Sequence, residues 1–189
     1  AGVHGRLRGG ASHTFYAPAV IGADGKRSIV ARLVNAPTYD MIPGKTCIFY
    51  AYYRDFVPPP EPSAIAAIVE QRRSGVLMVD VEDNLTLISV TLLAEHFDEA
   101  RQDAEAALDR IWQTVPNFAE RGRNAVRVTP VMGQGPVDSF YRQSYGPGWA
   151  LVGDAGHYSD PALGQGINHA LKSAELLAAA WERTQRRTS

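Results

Sequence analysis

The sequence predicts an α/β (α+β) fold in which an antiparallel sheet is inserted into, or leans on, an α/β portion. Three observations carry this. "WALVGDAGHYSDPALGQGINHALKSAELLAAAW", Trp149 to Trp181, runs from a short apolar strand through a loop with Gly and Pro into a long periodic helix. The middle of the chain is rich in β-branched and aromatic residues, which suit strands. Along the chain the order is strands, helix, strands, helix, with no internal repeat or low-complexity tract.

Bulk properties narrow the classes. The 189 residues suffice for one domain or two small ones with a sizeable core. With 45% hydrophobic and 21% charged residues, the composition is that of a soluble globular protein. A formal net charge of −1 implies no general affinity for polyanions, so no nucleic-acid partner is expected. Cys47 stands alone, which excludes an internal disulfide framework and a thiolate metal cluster and fits a reducing, cytoplasmic setting. No apolar run approaches the roughly 18 residues of a membrane helix, so no membrane partner is expected. No secretory signal pattern opens the chain.

Element by element, "GVHGRLRGGASHTFYAPAVIGADG" reads as two strands around Gly9-Gly10, the second running from Thr14 to Gly22. "KRSIVARLV" is a short helix with Ser28 in its first turn. "KTCIFYAYYRDFV" is a strand with Tyr50, Tyr52 and Arg54 on one face and Phe49, Ala51 and Tyr53 on the other; Cys47 reads as a buried thiol. Pro58 to Ser63 is a surface loop. "SGVLMVDVEDNLTLISVTL" is a hairpin turning near Asp83-Asn84. "FDEARQDAEAALDRIWQTVP" is one helix, capped by Asp98 and ended by Pro116, with Ala100, Ala104, Ala107, Leu108, Ile111 and Val115 as its apolar stripe. A short helix around Phe118 to Arg123 follows. "AVRVTPV" and "VDSFYRQSY" are then strands, with Gly146 to Gly148 a turn.

The chemistry concentrates at the last unit. Asp154 stands at the carboxyl end of an apolar strand, where ligands of open α/β sheets bind, and a carboxylate there can accept hydrogen bonds from hydroxyls. Gly153 and Gly156 permit close backbone approach. Past Pro161, Gly164-Gln165-Gly166 opens the helix. Its first amides lack internal partners, the macrodipole adds partial positive charge, and the two glycines leave the N–H groups unshielded. Such a tip suits an electron-rich oxygen or a ring gaining negative charge. Ile167, Leu171, Ala174, Ala178 and Trp181 form the packed stripe of this helix, opposite Asn168, Lys172, Glu175 and Glu182. Taken singly, a Gly-Asp after a strand is more often a turn, and a Gly before a helix a hinge; the ordered string is far more specific. The other "GQG", Gly133 to Gly135, has no following helix and reads as a loop.

These residues resemble a known family. "VIGADGKRSIVAR" looks like the DG motif of flavin-dependent aromatic hydroxylases and related FAD monooxygenases, and "GDAGHYSDPALGQGINHALKSAELLA" like their GD motif. The resemblance covers most of the chain. It implies a partial FAD/NAD(P)-binding, Rossmann-like portion at 1–35 and 130–189, and a β-rich substrate domain with one long helix at 36–129. It implies FAD as cofactor and NAD(P)H as reductant. By the same resemblance, Asp154, preceded by Gly153, hydrogen-bonds the ribityl or pyrophosphate part of FAD, and Pro161 lies against the flavin. The backbone of Gly164, Gln165, Gly166, Ile167 and Asn168 faces the pyrimidine side of the ring. Asp24 and Gly25 lie near the pyrophosphate and the nicotinamide route. Tyr50, Tyr52 and Arg54 are candidates to face the substrate, although such aromatics are more often ordinary core.

Two departures are visible. Ser173 stands where the family usually has Asp, weakening a supporting hydrogen bond. G-x-G-x-x-G, which holds the pyrophosphate, is absent; "GQGPVD", "GPGWAL" and "GQGINH" all fail. The expectation is a fragment downstream of an ADP-binding segment, which would be its partner within the same protein. The expected activity is that of an FAD-dependent oxidoreductase hydroxylating a small substrate, with aromatic compounds favoured by the aromatics of the sheet. The alternatives are a flavin reductase or halogenase of the same superfamily, or a non-catalytic ligand- or partner-binding module. No zinc-binding His pair, G-x-S-x-G elbow or Walker loop is present, so no metal is expected and no catalytic residue is assigned. His157 reads as a packing and hydrogen-bonding residue rather than a base.

Overall fold

In a computed structural model of the chain, which describes every residue except 59–63, 70–73, 162–163 and 189, two regions fold around separate cores. One comprises Ala1–Ile42 and Asp138–Ser189, the other Pro43–Val137. The divisions fall later than 35/36 and 129/130, because strand Thr38–Ile42 pairs within the first unit and strand Met132–Gln134 within the second.

The first unit opens with a hairpin of β1 (Gly2–Arg6) and β2 (Ser12–Tyr16). The anticipated strand to Gly22 is interrupted: Pro18 has no N–H for a ladder, and β3 (Val20–Gly22) forms separately. Helix α1 (Ile29–Leu33) follows, capped by Ser28, whose Oγ accepts from the Ala31 amide at 2.9 Å. Strand β4 (Thr38–Ile42) gave no sequence signal; all its residues are exposed, and Asp40 sits at φ +48°.

The second unit is one antiparallel sheet with helices on one face. Its strands are β5 (Thr46–Arg54), β6 (Ala64–Val69), β7 (Ser74–Asp80), β8 (Thr86–Leu93), β9 (Val126–Arg127) and β10 (Met132–Gln134). The order is β10-β5-β8-β7-β6, and β9 also pairs with β5. The anticipated β7–β8 hairpin forms, with Asp83 and Asn84 both at positive φ as a tight primed turn requires. Alternation decides the faces. Cys47, Phe49, Ala51 and Tyr53 of β5 are buried with Val76, Met78, Ile88 and Val90, whereas Tyr50 and Tyr52 are half-buried and Arg54 exposed. Of the expected Pro58 to Ser63 loop, residues 59–63 lie outside the described residues.

The expected single helix is broken into α2 (Phe97–Ala100), a 3-10 turn over Arg101–Asp103, and α3 (Ala104–Trp112). Asp103 breaks it by turning to φ −143° and accepting the Ala106 amide, so Asp103, not Asp98, is the cap; Asp98 pairs with Arg101. Pro116 begins α4 (Pro116–Arg121) at its first turn, where its missing N–H costs nothing. Ala100, Ala107, Leu108, Ile111, Trp112 and Phe118 close the core over the sheet. Two buried polar ties accompany them. Asp109 accepts from Tyr53 (2.6 Å) and Trp112 (3.0 Å), and Arg121 reaches Asp80 and the Val57 carbonyl at 2.8 Å each. "AVRVTPV" yields only the two residues of β9, since past them Tyr52 bonds instead to the Val128 amide and the Thr129 hydroxyl. Gly133 and Gln134 are strand, not loop: they pair with Phe49 and Ile48.

Returning to the first unit, "VDSFYRQSY" divides into β11 (Ser139–Arg142) and β12 (Tyr145–Gly146). Then come β13 (Trp149–Leu151), β14 (His157–Tyr158) and α5 (Gly166–Thr188). One sheet runs β14-β11-β4, the other β12-β13-β3, and within the latter β3 and β13 are parallel. The face of α5 turned inward carries Ala170, Ser173 and Leu177. The expected stripe stays outside, with Ile167 77%, Leu171 66% and Trp181 42% exposed. Register explains this: Gly153 approaches Ala170 and Ser173, which sets the helix rotation.

Candidate functional site

The parallel pair β3–β13 places both motif loops at one sheet end. Gly22 pairs with Leu151, and the Val152 amide donates to the Gly22 carbonyl at 2.9 Å, so Asp24 and Asp154 both follow carboxyl ends of adjacent strands. Their carboxylates have different surroundings. Asp24 Oδ2 accepts from the Ile29 amide at 2.6 Å and the Val30 amide at 3.3 Å, so it serves the start of α1. Burial alone would raise its pKa, but these bonds and one from Ser28 hold it below the ordinary value. Asp154 makes no hydrogen bond among the described residues and is half-buried, with Lys26 and His157 as electrostatic neighbours. Gly25 sits at φ +77°, and a Cβ there would meet nothing within 4 Å.

The turn at Gly153 is shaped by α5. Gly153 has φ +58°, and an added Cβ would lie 3.2 Å from Ala170 Cβ. Its amide donates to Ser173 Oγ at 2.8 Å, and that hydroxyl donates to the Ala170 carbonyl at 2.8 Å. Ser173 thus supplies a supporting bond at this turn.

At the helix tip, the Pro161 carbonyl accepts from the Gly164 amide at 2.9 Å, and the Gln165 carbonyl accepts the first intrahelical bond, from His169. Gly164 has φ +64°. A Cβ on Gly164 or Gly166 would meet nothing within 4 Å. Residues 164–169 are exposed. Asn168 Nδ2 donates to Gln165 Oε1 at 3.3 Å, a bond local to the start of the helix. Ala162 and Leu163 of the motif lie outside the described residues.

Several residues here had no sequence signal. Arg142 links the two motif loops: its guanidinium donates to the Ala155 carbonyl at 2.9 Å and the Lys26 carbonyl at 3.0 Å while lying 4.1 Å from the Phe140 ring centroid. The Lys26 ammonium lies 5.0 Å over the Tyr158 ring; burial and Arg27 lower its pKa, and Asp154 opposes them. The His157 ring stacks on Tyr141 with centroids 4.2 Å apart and an 8° interplanar angle, and His169 lies 5.1 Å beyond. His157 therefore packs, as expected. Among the described residues no cluster of His, Cys, Asp and Glu could hold a metal ion, and no helix is long and apolar enough to cross a membrane.

Residues 1–182 match the family described as FAD binding domain. No curated protein matches the sequence significantly. Among solved structures, the myxobacterial chondrochloren halogenase CndH, described as a variant of FAD-dependent halogenases, superposes with a TM-score of 0.80 at 23% identity over 94% of this chain and 42% of its own. PqsL, a probable FAD-dependent monooxygenase from Pseudomonas aeruginosa, gives 0.72 at 20% identity over 98% and 51%. The flavin-dependent brominase Bmp2 gives 0.74 at 17% identity over 90% and 44%. At these identities the likeness is one of fold, and the chain spans about half or less of each structure's length.

Proposed function

Because the chain belongs to the FAD binding domain family, we propose that it forms part of an FAD-dependent oxidoreductase, a NAD(P)H-using monooxygenase that hydroxylates a small, aromatic substrate. The first unit carries the proposed flavin-facing residues. The observation that supports this best is the open tip of α5 beside a carboxylate without a hydrogen-bond partner among the described residues. A flat ring with an electronegative edge fits there, since a Cβ at Gly166 would meet nothing within 4 Å among the described residues. When bound, a flavin supplies the redox and oxygen chemistry, and its reduced ring bears negative charge at one edge. The amides of Gly166, Ile167 and Asn168, with the helix dipole, favour that charge over neutrality. Asp154 accepts from ligand hydroxyls, Pro161 and Gln165 border the tip, and Gly153 and Gly25 keep the backbone close. Asp24 acts indirectly, by fixing α1 and the turn at Gly25. The outer face of β5, with Tyr50, Tyr52 and Arg54, is the proposed substrate side of the second unit.

The proposed partner of the first unit is an ADP-binding segment with a G-x-G-x-x-G turn. Support comes from the position of β3 at the end of its sheet among the described residues, and from an apolar groove of about 670 Å³ lined by Pro18, Ile21, Trp149, Leu177 and Trp181. A cytoplasmic setting is part of the same proposal. A flavin-dependent halogenase is the second reading, since the fold is shared with CndH and Bmp2; halogen rather than oxygen in the product would favour it.

Titration of the chain with riboflavin, FMN and FAD tests the site. All three should bind weakly and with similar affinity, because the proposed contacts face the ring end of the ligand. Gly166→Val and Asp154→Ala should each weaken binding about tenfold, equivalent to one lost charge-assisted hydrogen bond, with unchanged circular dichroism. Equal binding by wild type and both variants overturns the assignment.

A further inference from the structure

Two histidines that the flavin reading does not use meet at the base of the helix tip. His157 comes from β14, in register with Tyr141 of β11, and His169 from the first turn of α5. The Tyr141 ring stacks on the His157 ring with centroids 4.2 Å apart, the His169 ring lies 5.1 Å from His157, and Tyr39 stacks on Tyr141 at 5.8 Å. This row of rings joins the two ends of the loop that carries Pro161 and Gly164. One turn further along α5, the Ser173 hydroxyl ties the helix to Gly153. The ring stack therefore bears on the first turn, where the open amides are.

Charge makes the stack conditional. The Gly153–Ala155 turn carries Asp154, whose charge acts on His157 and on Lys26, from the connection between β3 and α1. On β11, Arg142 is directed at the Ala155 and Lys26 carbonyls, and on α5 Lys172 pairs with Glu175 at 2.9 Å. Only Asp154 favours a proton on His157. Burial and then His169 oppose it, so its pKa lies below 6.5. An imidazolium at position 169 would also face the positive end of the helix dipole. One carboxylate can balance one added proton; two would leave like charges in ring contact.

We propose that His157 and His169 are positioning residues that hold the tip of α5 beside Asp154, and that this hold requires at least one of the two rings to be neutral. Its mechanics stand on the stack itself; only its consequence for ligand binding rests on the flavin reading. The sign follows from His157 binding a proton less readily folded than unfolded. The stabilisation is complete above the ordinary histidine value near 6.5 and is lost as the pH falls below it.

The test uses the 189-residue chain. Histidine ring resonances are followed by NMR from about pH 8 to about pH 5, together with hydrogen exchange at the amides of residues 169–173, corrected for intrinsic pH dependence. The His157 ring should titrate below the ordinary histidine value, and exchange should quicken about tenfold at the acid end. His169→Phe keeps a ring and removes the charge, so acid should quicken its exchange less than in the wild type, the burial of His157 alone remaining; His169→Lys should exchange fast at both extremes. Riboflavin affinity should follow the same pattern. Acid loosening in His169→Phe equal to that of the wild type overturns the proposal. Should riboflavin fail to bind at any pH while the exchange pattern holds, the flavin reading fails and the positioning role stands.

Discussion

The two units of this chain solve the burial problem differently. Among the described residues, Pro43–Val137 has 16 buried apolar residues in one cluster, whereas the cluster of Ala1–Ile42 with Asp138–Ser189 holds Ala31, Leu151 and Ala155. Sixteen suffice to seal one sheet face under helices; three cannot, and Phe15, Tyr16, Leu33, Tyr145 and Ile167 stand more than half exposed. The first unit is held instead by directional ties: Ser28 on α1, Ser173 on Gly153, and Arg142 across the two motif loops. A region shaped by hydrogen bonds to glycine-rich turns keeps its backbone amides accessible, which a packed core would not allow. The difference teaches that the region least stabilised by burial is the one with atoms available for chemistry.

This contrast can be broken at several points. The largest effect is expected in the second unit. Phe118 is fully buried beneath the sheet, and Phe118→Ala should cost about 3–5 kcal/mol in urea unfolding. A loss below about 1 kcal/mol would show that the second unit is not the burial-stabilised one. Next, Ser173→Ala leaves the Gly153 amide without its partner and should cost about 1 kcal/mol, with the loosening confined to Gly153 and the start of α5 by hydrogen exchange. An effect spread through the second unit would contradict the separation of cores. The smallest change is expected from Ile167→Ser. With 77% of its surface exposed, Ile167 should tolerate this within about 0.5 kcal/mol by thermal unfolding, and a larger loss would reveal burial that the fold does not provide.

What the sequence made legible divides along the same line. In the second unit, period-2 alternation in β5 and the helical stripe from Ala100 to Val115 marked the core residues, because burial repeats with backbone geometry. The break at Asp103 was hidden because Asp is both a tolerable helix residue and a good cap, and only the local turn decides between them. In the first unit the two motifs were readable through their glycines, and Gly153 and Gly164 do lie at positive φ. The rotation of α5 was not, because Leu171 and Ala174 satisfy an apolar pattern as well as Ala170 and Leu177 do. Strand β4 and the bridging role of Arg142 rest on partners far along the chain, which leave no local trace.

The parallel pairing of β3 with β13 also has a consequence in time. Val20 emerges from a ribosome long before Trp149, its ladder partner, and at about 5–20 residues per second the wait lasts several seconds. The stretch from Pro43 to Val137, being continuous, can fold during that interval; the strands that flank it can close only afterwards. Nascent chains would therefore carry a finished sheet and an unfinished cradle, with the segment from Ala1 to Ile42 waiting for its partner strands.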